Sequence, residues 1–180
     1  FGVLPSVAVG TDLLYAAITK SVGVWVHGRK GTVNWKIVGL LAAGSLPAAL
    51  VTIGMLKLLA ADTSRLQGLI TDALGVALIL TALALLFKDR LITSMAQGRI
   101  ASSGMHRWRA PTTILAGVVL GALVTLTSVG AGALGAVVLF LLYPRLPAAH
   151  IVGTDLAYAV PLVTIAGLGH FYFFGTVDVP

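Results

Sequence analysis

The sequence predicts an all-α protein: a polytopic membrane helix bundle with an internal duplication and broken helices. Hydrophobic residues make up 58% of the 180-residue chain and charged residues only 10%, whereas ordinary soluble domains are about 25% charged. A helix needs about 20 largely apolar residues to cross a bilayer. The stretches that meet this length are 7–26, 37–60, 66–87, 112–143 and 151–174.

The duplication is visible as a motif that occurs twice. Val-Gly-Thr-Asp-Leu at 9–13 returns at 152–156, an offset of 143 residues. The same offset relates two further pairs, Tyr15 with Tyr158 and His27 with His170. A second motif, Gly-Thr-Val followed by Asn or Asp, stands at 31–34 and at 175–178. In an apolar chain, such repetition is typical of a transporter built from repeats.

The first predicted helix, 7–26, carries Asp12 and Lys20 and ends in a basic turn. The loop 27–36 contains Arg29, Lys30 and Lys36 and no acidic residue. Because basic loops remain on the inner side of a membrane, we predict that this loop is cytoplasmic.

The next two predicted helices return the chain to the same side of the membrane. Helix 37–60 contains Pro47, which removes a backbone donor and should bend it. Helix 66–87 leads into loop 88–110, the most basic stretch of the chain, which we also predict to be cytoplasmic. The connection at 62–65 is then external.

The fourth apolar stretch is too long for a simple span. Its 32 residues, 112–143, would extend about 48 Å as one helix, whereas the bilayer core is about 30 Å thick. The small and polar residues from Thr127 to Gly132 predict a break within the membrane. Either a tilted span is broken there, which makes the two copies parallel, or two half-helices form a re-entrant pair, which inverts the second copy.

The break is the predicted binding site. A half-helix that begins after it would direct N–H groups and a positive dipole end towards a cavity, which suits an anion. The alternative is that its glycines only allow close helix packing. The candidate substrate-binding residues are Thr11, Asp12, Thr127, Ser128, Gly130, Gly132, Thr154 and Asp155.

Five of the polar residues in the two copies have competing interpretations. Asp12 and Asp155 could couple transport to protons, because ionisable groups at membrane depth are costly and usually functional, whereas Thr-Asp pairs at helix starts are also ordinary N-caps. Lys20 could attract an anion or extend to the cytoplasmic interface. His27 and His170 could handle protons or be structural.

No catalytic constellation is visible. The glycines form neither a dinucleotide fingerprint nor a P-loop, and Glu and Cys are absent from the sequence. We therefore predict no enzyme activity, no metal and no cofactor. The net charge of +6 lies in loops between apolar runs, which indicates membrane topology and not nucleic-acid binding.

The order of motifs resembles the sulfite exporter TauE/SafE family of membrane permeases. The matching segments are 10–13, His27, 29–35, 44–49, 128–135 and 152–155. Asp12 and Asp155 stand where the family usually has Ser. The resemblance implies two similar repeats of about four helices and transport of small anions such as sulfite or organosulfonates.

We therefore predict a multi-pass permease of the cell (inner) membrane, whose partners are the lipid bilayer and a small anionic solute moved by alternating access. Residues 1–87 would be the later part of one repeat, 88–110 the basic loop and 111–180 the earlier part of the next, as in a fragment cut at both ends. The alternative is a non-transporting scaffold or assembly subunit, whose small residues serve packing.

Overall fold

A computed structural model of the protein describes residues 4–59, 61–96 and 109–174. The second Gly-Thr-Val motif, at 175–178, lies outside them, as does the 97–108 part of the predicted loop. The described residues form helices throughout, as predicted: α1 Pro5–Arg29, α2 Trp35–Leu59, α3 Thr63–Ala96, α4 Arg109–Thr127, α5 Ala133–Leu142 and α6 Ala148–Phe174.

Local sequence accounts for the boundary between α1 and α2. Pro5 is the first residue of α1, a position where the missing N–H of proline costs nothing. Gly31, at φ 64°, turns the chain beyond the end of α1. Asn34 precedes α2 and accepts a hydrogen bond on its side-chain oxygen from the N–H of Ile37, at 3.4 Å.

α3 is longer than its apolar stretch predicted. Asp62 accepts a hydrogen bond from the N–H of Arg65 (3.1 Å) at the start of the helix, which then continues to Ala96. Charged residues after Phe87 end the apolar pattern but not the helix, because Lys and Arg are good helix formers. The predicted loop 88–110 therefore begins as helix.

α4 and α5 form a re-entrant hairpin, which resolves the two alternatives left open by the sequence. The hydroxyl of Tyr143, just beyond α5, lies 2.8 Å from that of Thr113 in the first turns of α4. The end of α5 thus lies beside the start of α4, and the chain leaves the hairpin on the side on which it entered. At 10 residues, α5 is about 15 Å long and reaches only halfway through a bilayer core.

The two copies of the Gly-Thr-Asp motif lie on antiparallel helices. The start of α6 lies against the end of α1, where Gly153 faces His27, and further along Gly167 faces Leu14. Along the chain, α1 thus runs in one direction and α6 in the other. An inverted pair is the arrangement of many secondary transporters built from repeats.

Glycines determine how closely the hairpin approaches α2. A side chain at Gly117 would place its Cβ 2.5 Å from the carbonyl oxygen of Leu41, and one at Gly121 would overlap the backbone of Ser45. Membrane helices commonly pack through such small residues. The backbone of α4 therefore lies directly on that of α2.

Five of the described helices are long and apolar enough to cross a membrane: α1, α2, the Thr63–Phe87 part of α3, α4 and α6. Large apolar side chains such as Ile18, Leu58 and Leu86 are exposed on their outer faces, as expected of helices that contact lipid. The predicted polytopic bundle is confirmed.

Candidate functional site

The predicted break separates α4 from α5. Ser128 has φ 59°, and Gly130 and Gly132 have φ 113° and 145°, a region that L side chains rarely adopt. Thr127 stabilises the turn, because its hydroxyl oxygen accepts a hydrogen bond from the N–H of Val129 at 3.1 Å. The break is confirmed at the residues where the sequence predicts it.

Asp12 contacts this break from α1. The hydroxyl of Ser128 donates a hydrogen bond of 2.5 Å to the Asp12 carboxylate. The carboxylate is exposed, and Ser128 is half-buried. Two residues that are 116 positions apart in the sequence thus form one polar contact.

Lys20 contacts the same break two turns further along α1. Its ammonium group donates a hydrogen bond of 2.5 Å to the carbonyl oxygen of Ala131 and lies beside Gly132. Lys20 therefore points into the break instead of extending towards the end of its helix. Asp12 and Lys20 flank Ala17, the midpoint of α1, so the break lies near the middle of the span.

The first turn of α5 begins directly at the break. The N–H groups of Gly135 and Ala136 donate to the carbonyl oxygens of Gly130 (3.0 Å) and Gly132 (2.8 Å). Ala133 and Leu134 occupy the opening positions of the helix, where N–H groups have no acceptor within it. This end of α5 carries a partial positive charge.

Asp155 lies against this turn from α6. It is only 3% exposed, and one of its oxygens, Oδ1, has no hydrogen-bond partner among the described residues. A side chain at Gly135 would overlap both Oδ1 and the hydroxyl of Tyr158. Because Gly135 has no side chain, there is room beside it for these two oxygens.

Tyr158 is a site residue that the sequence did not single out. It is completely buried, and its hydroxyl has no partner within the described part of the chain. Its equivalent in the first copy, Tyr15, is 67% exposed. The duplication marked both tyrosines, but it could not indicate which of them is buried.

The N-cap interpretation of the two Thr-Asp pairs is wrong. α1 begins at Pro5 and α6 at Ala148, so both pairs lie inside helices. Instead, the hydroxyl oxygen of Thr154 accepts a hydrogen bond of 3.0 Å from the N–H of Asn34. Thr154 thus supports the start of α2 from another helix, while Thr11 is half-buried within α1.

The two histidines have different surroundings. His27 Nδ1 lies 2.8 Å from the hydroxyl of Thr32. His170, expected near an interface, is completely buried, and its Nε2 lies 3.0 Å from the carbonyl oxygen of Thr125 in α4.

The two carboxylates lie at different depths. Gly23 packs against Leu156, so Asp155 lies near the level of Gly23 on α1, about 16 Å along the helix from Asp12. Lys20 lies between these levels and interacts electrostatically with Asp155. The site therefore has two ends, with one ammonium group between them.

The chain is similar in sequence to known membrane transport proteins. The model of the sulfite exporter TauE/SafE family matches residues 1–180. The probable membrane transporter protein YjnA of Bacillus subtilis (strain 168) is 43% identical over 177 residues, which cover 98% of this chain and 68% of the relative. No solved structure gives a significant match. The findings point to a multi-pass membrane transporter and not to an enzyme.

Proposed function

This chain belongs to the sulfite exporter TauE/SafE family, and on that premise we propose that it is a permease that moves a small anion by alternating access. One observation carries the proposal. The backbone is broken near the middle of the span, and a carboxylate and an ammonium group from α1 contact that break through Ser128 and Ala131. Broken helices in membranes occur where they line a cavity or are covered by protein.

The charges near the break favour an anion over a cation. The first turn of α5 carries a partial positive charge, and Lys20 adds a full one beside Gly132. An anion that displaced the Lys20–Ala131 hydrogen bond would interact with both. Ser128 and Thr127 add hydroxyl groups at the same place.

The antiparallel copies support alternating access. In inverted-repeat transporters, the substrate site lies near the midplane, where the repeats meet, and one repeat moves against the other. Here Asp12 lies towards one end of that site and Asp155 towards the other. We propose that these two carboxylates couple transport to protons.

Sulfite or an organosulfonate is the proposed substrate class. This part of the proposal rests on the family, whose description names sulfite. These anions are small, and their oxygens can accept hydrogen bonds from N–H, hydroxyl and ammonium donors of the kind found at the break.

Flux of labelled sulfite into proteoliposomes tests the proposal. We expect faster, saturable flux than in protein-free liposomes. Asp12→Asn and Asp155→Asn should each weaken the pH dependence of flux, because the neutral amide cannot exchange a proton, and leave membrane insertion unchanged.

Asp72→Asn is the matched control. Asp72 is an exposed carboxylate on α3, a helix that supplies none of the proposed site residues, so its variant should behave like the wild type. Flux equal to that of empty liposomes would exclude sulfite transport and favour the non-transporting scaffold. Full retention of pH dependence in both site variants would remove the coupling role.

A further inference from the structure

The Asp155 carboxylate occupies a place that an anion would favour. Oδ1 is buried against Gly135 in the first turn of α5, within the partial positive charge of that helix end. It has no hydrogen-bond partner among the described residues, although buried polar atoms are nearly always paired. Asp155 therefore places a carboxyl group where the transported anion would bind.

Few charges surround Asp155. From α1 the nearby titratable groups are Lys20, which interacts with it electrostatically, and His27, which packs on Gly153. The lysines of α2, Lys36 and Lys57, are exposed at the helix ends. The titratable residue of α4 is Arg109, at its first position, and α5 has none. Beside Asp155 on α6 is the neutral hydroxyl of Tyr158.

Asp12 is exposed and lies at the other end of the site, so at the buried end the Lys20 ammonium group can balance one negative charge. A carboxylate and a substrate anion together near Lys20 would leave an uncompensated negative charge in a region of low dielectric, which is strongly unfavourable. Either the carboxylate is charged and the anion is absent, or the carboxyl group is neutral and the anion is present.

We propose that the Asp155 carboxylate and the transported anion compete for this positive region, so that the anion binds only when Asp155 takes up a proton. This inference rests on the proposed function. The proton binds to a carboxylate oxygen as the anion enters, and both leave on the other side of the membrane. One proton thus accompanies one monovalent anion, and transport moves no net charge.

Tyr158 supplies the neutral polar group beside this carboxyl group. Its hydroxyl lies on the same side of Gly135 as Oδ1, and a hydroxyl group there interacts differently with the charged and the neutral form of the carboxyl group. Tyr158→Phe removes this difference and should therefore shift the pH of half-maximal flux.

Proteoliposomes of the full chain test the competition with a labelled alkanesulfonate, which stays monovalent over the tested pH range. Its flux is driven either by a pH gradient or by a potassium diffusion potential. The wild type should respond to the pH gradient and not to the potential. Asn resembles the neutral carboxyl group, so Asp155→Asn should lose the response to pH and gain one to potential. Asp72→Asn, the exposed control, should match the wild type.

The outcomes separate this inference from the proposed function. Wild-type flux equal to that of empty liposomes overturns both. Wild-type flux that responds to potential, or an Asp155→Asn variant whose flux is still driven by a pH gradient, overturns the competition and leaves the permease intact. If Asp155→Asn does not fold, an unchanged pH profile in Tyr158→Phe overturns the inference and a shifted profile supports it.

Discussion

At the scale of single residues, one hydrogen bond joins the two copies of the repeat. Thr154, in the second Gly-Thr-Asp motif, accepts from the N–H of Asn34, which follows the first Gly-Thr-Val sequence. The first N–H groups of a helix need partners from outside it. Because Thr154 is completely buried, water cannot easily replace its oxygen.

Replacement of this hydroxyl should destabilise the fold. Thr154→Val keeps the shape and leaves the N–H of Asn34 without its acceptor, at a cost of about 1–3 kcal/mol. Thr164→Val is the control, since that hydroxyl donates to the carbonyl oxygen of Val160 in its own helix. Unfolding titrations in mixed detergent micelles would measure the difference, and equal losses would contradict the role of Thr154.

At the scale of elements, the glycines have different tasks. Gly130 and Gly132 supply positive φ at the break, whereas Gly117 and Gly121 bring α4 onto the backbone of α2. The glycines of the break thus serve a turn of the backbone, and those of α4 serve close packing. The hairpin is held by α2 on one side and contacted by α1 at its tip.

This packing predicts a strong effect of one methyl group. Gly121→Ala would overlap the backbone of Ser45, and overpacking of this kind costs about 1–3 kcal/mol. Gly54→Ala provides the comparison, because nothing lies within 4 Å of its added Cβ. Thermal unfolding in detergent should show a lower midpoint for Gly121→Ala alone, and a similar midpoint for both would refute the close packing.

At the scale of the whole molecule, the hairpin determines the symmetry. Since α4 and α5 enter and leave on one side, α6 runs opposite to α1, and the two Gly-Thr-Asp motifs come to opposite ends of the site. Asp12 and Asp155 consequently have different surroundings, one exposed and one buried. The duplicated sequence has produced two unlike ends around a single lysine.

Cross-linking tests this inversion. The chain lacks cysteine, so pairs can be introduced without background. Gly23→Cys with Leu156→Cys should form a disulfide under mild oxidation, because these residues pack together. Gly23→Cys with Ala166→Cys should form none, although these two residues would lie side by side if the copies were parallel. Mobility on non-reducing gels distinguishes the two, and the reverse pattern would exclude antiparallel copies.

Several features of the site could be predicted from the sequence because they are local. The break follows from small, polar and flexible residues within a stretch too long for one span, and Ser128, Gly130 and Gly132 lie there. The sequence left two positions open for the Lys20 side chain, because a long side chain on an apolar helix can extend either towards the interface or into the bundle. Tyr158 was missed as a site residue, since its importance depends on contact with Gly135 of another helix.

The sequence by itself determined that this chain is a duplicated, membrane-spanning helical protein with a broken fourth stretch, because hydrophobicity, charge and backbone freedom act locally. Only the tertiary structure decided that this stretch turns back, that the copies are antiparallel and that Asp155 lies buried at the start of α5. Those outcomes depend on which helices approach closely. Close approach is governed by contacts such as Gly117 with Leu41 and Gly135 with Asp155, between residues far apart in the chain.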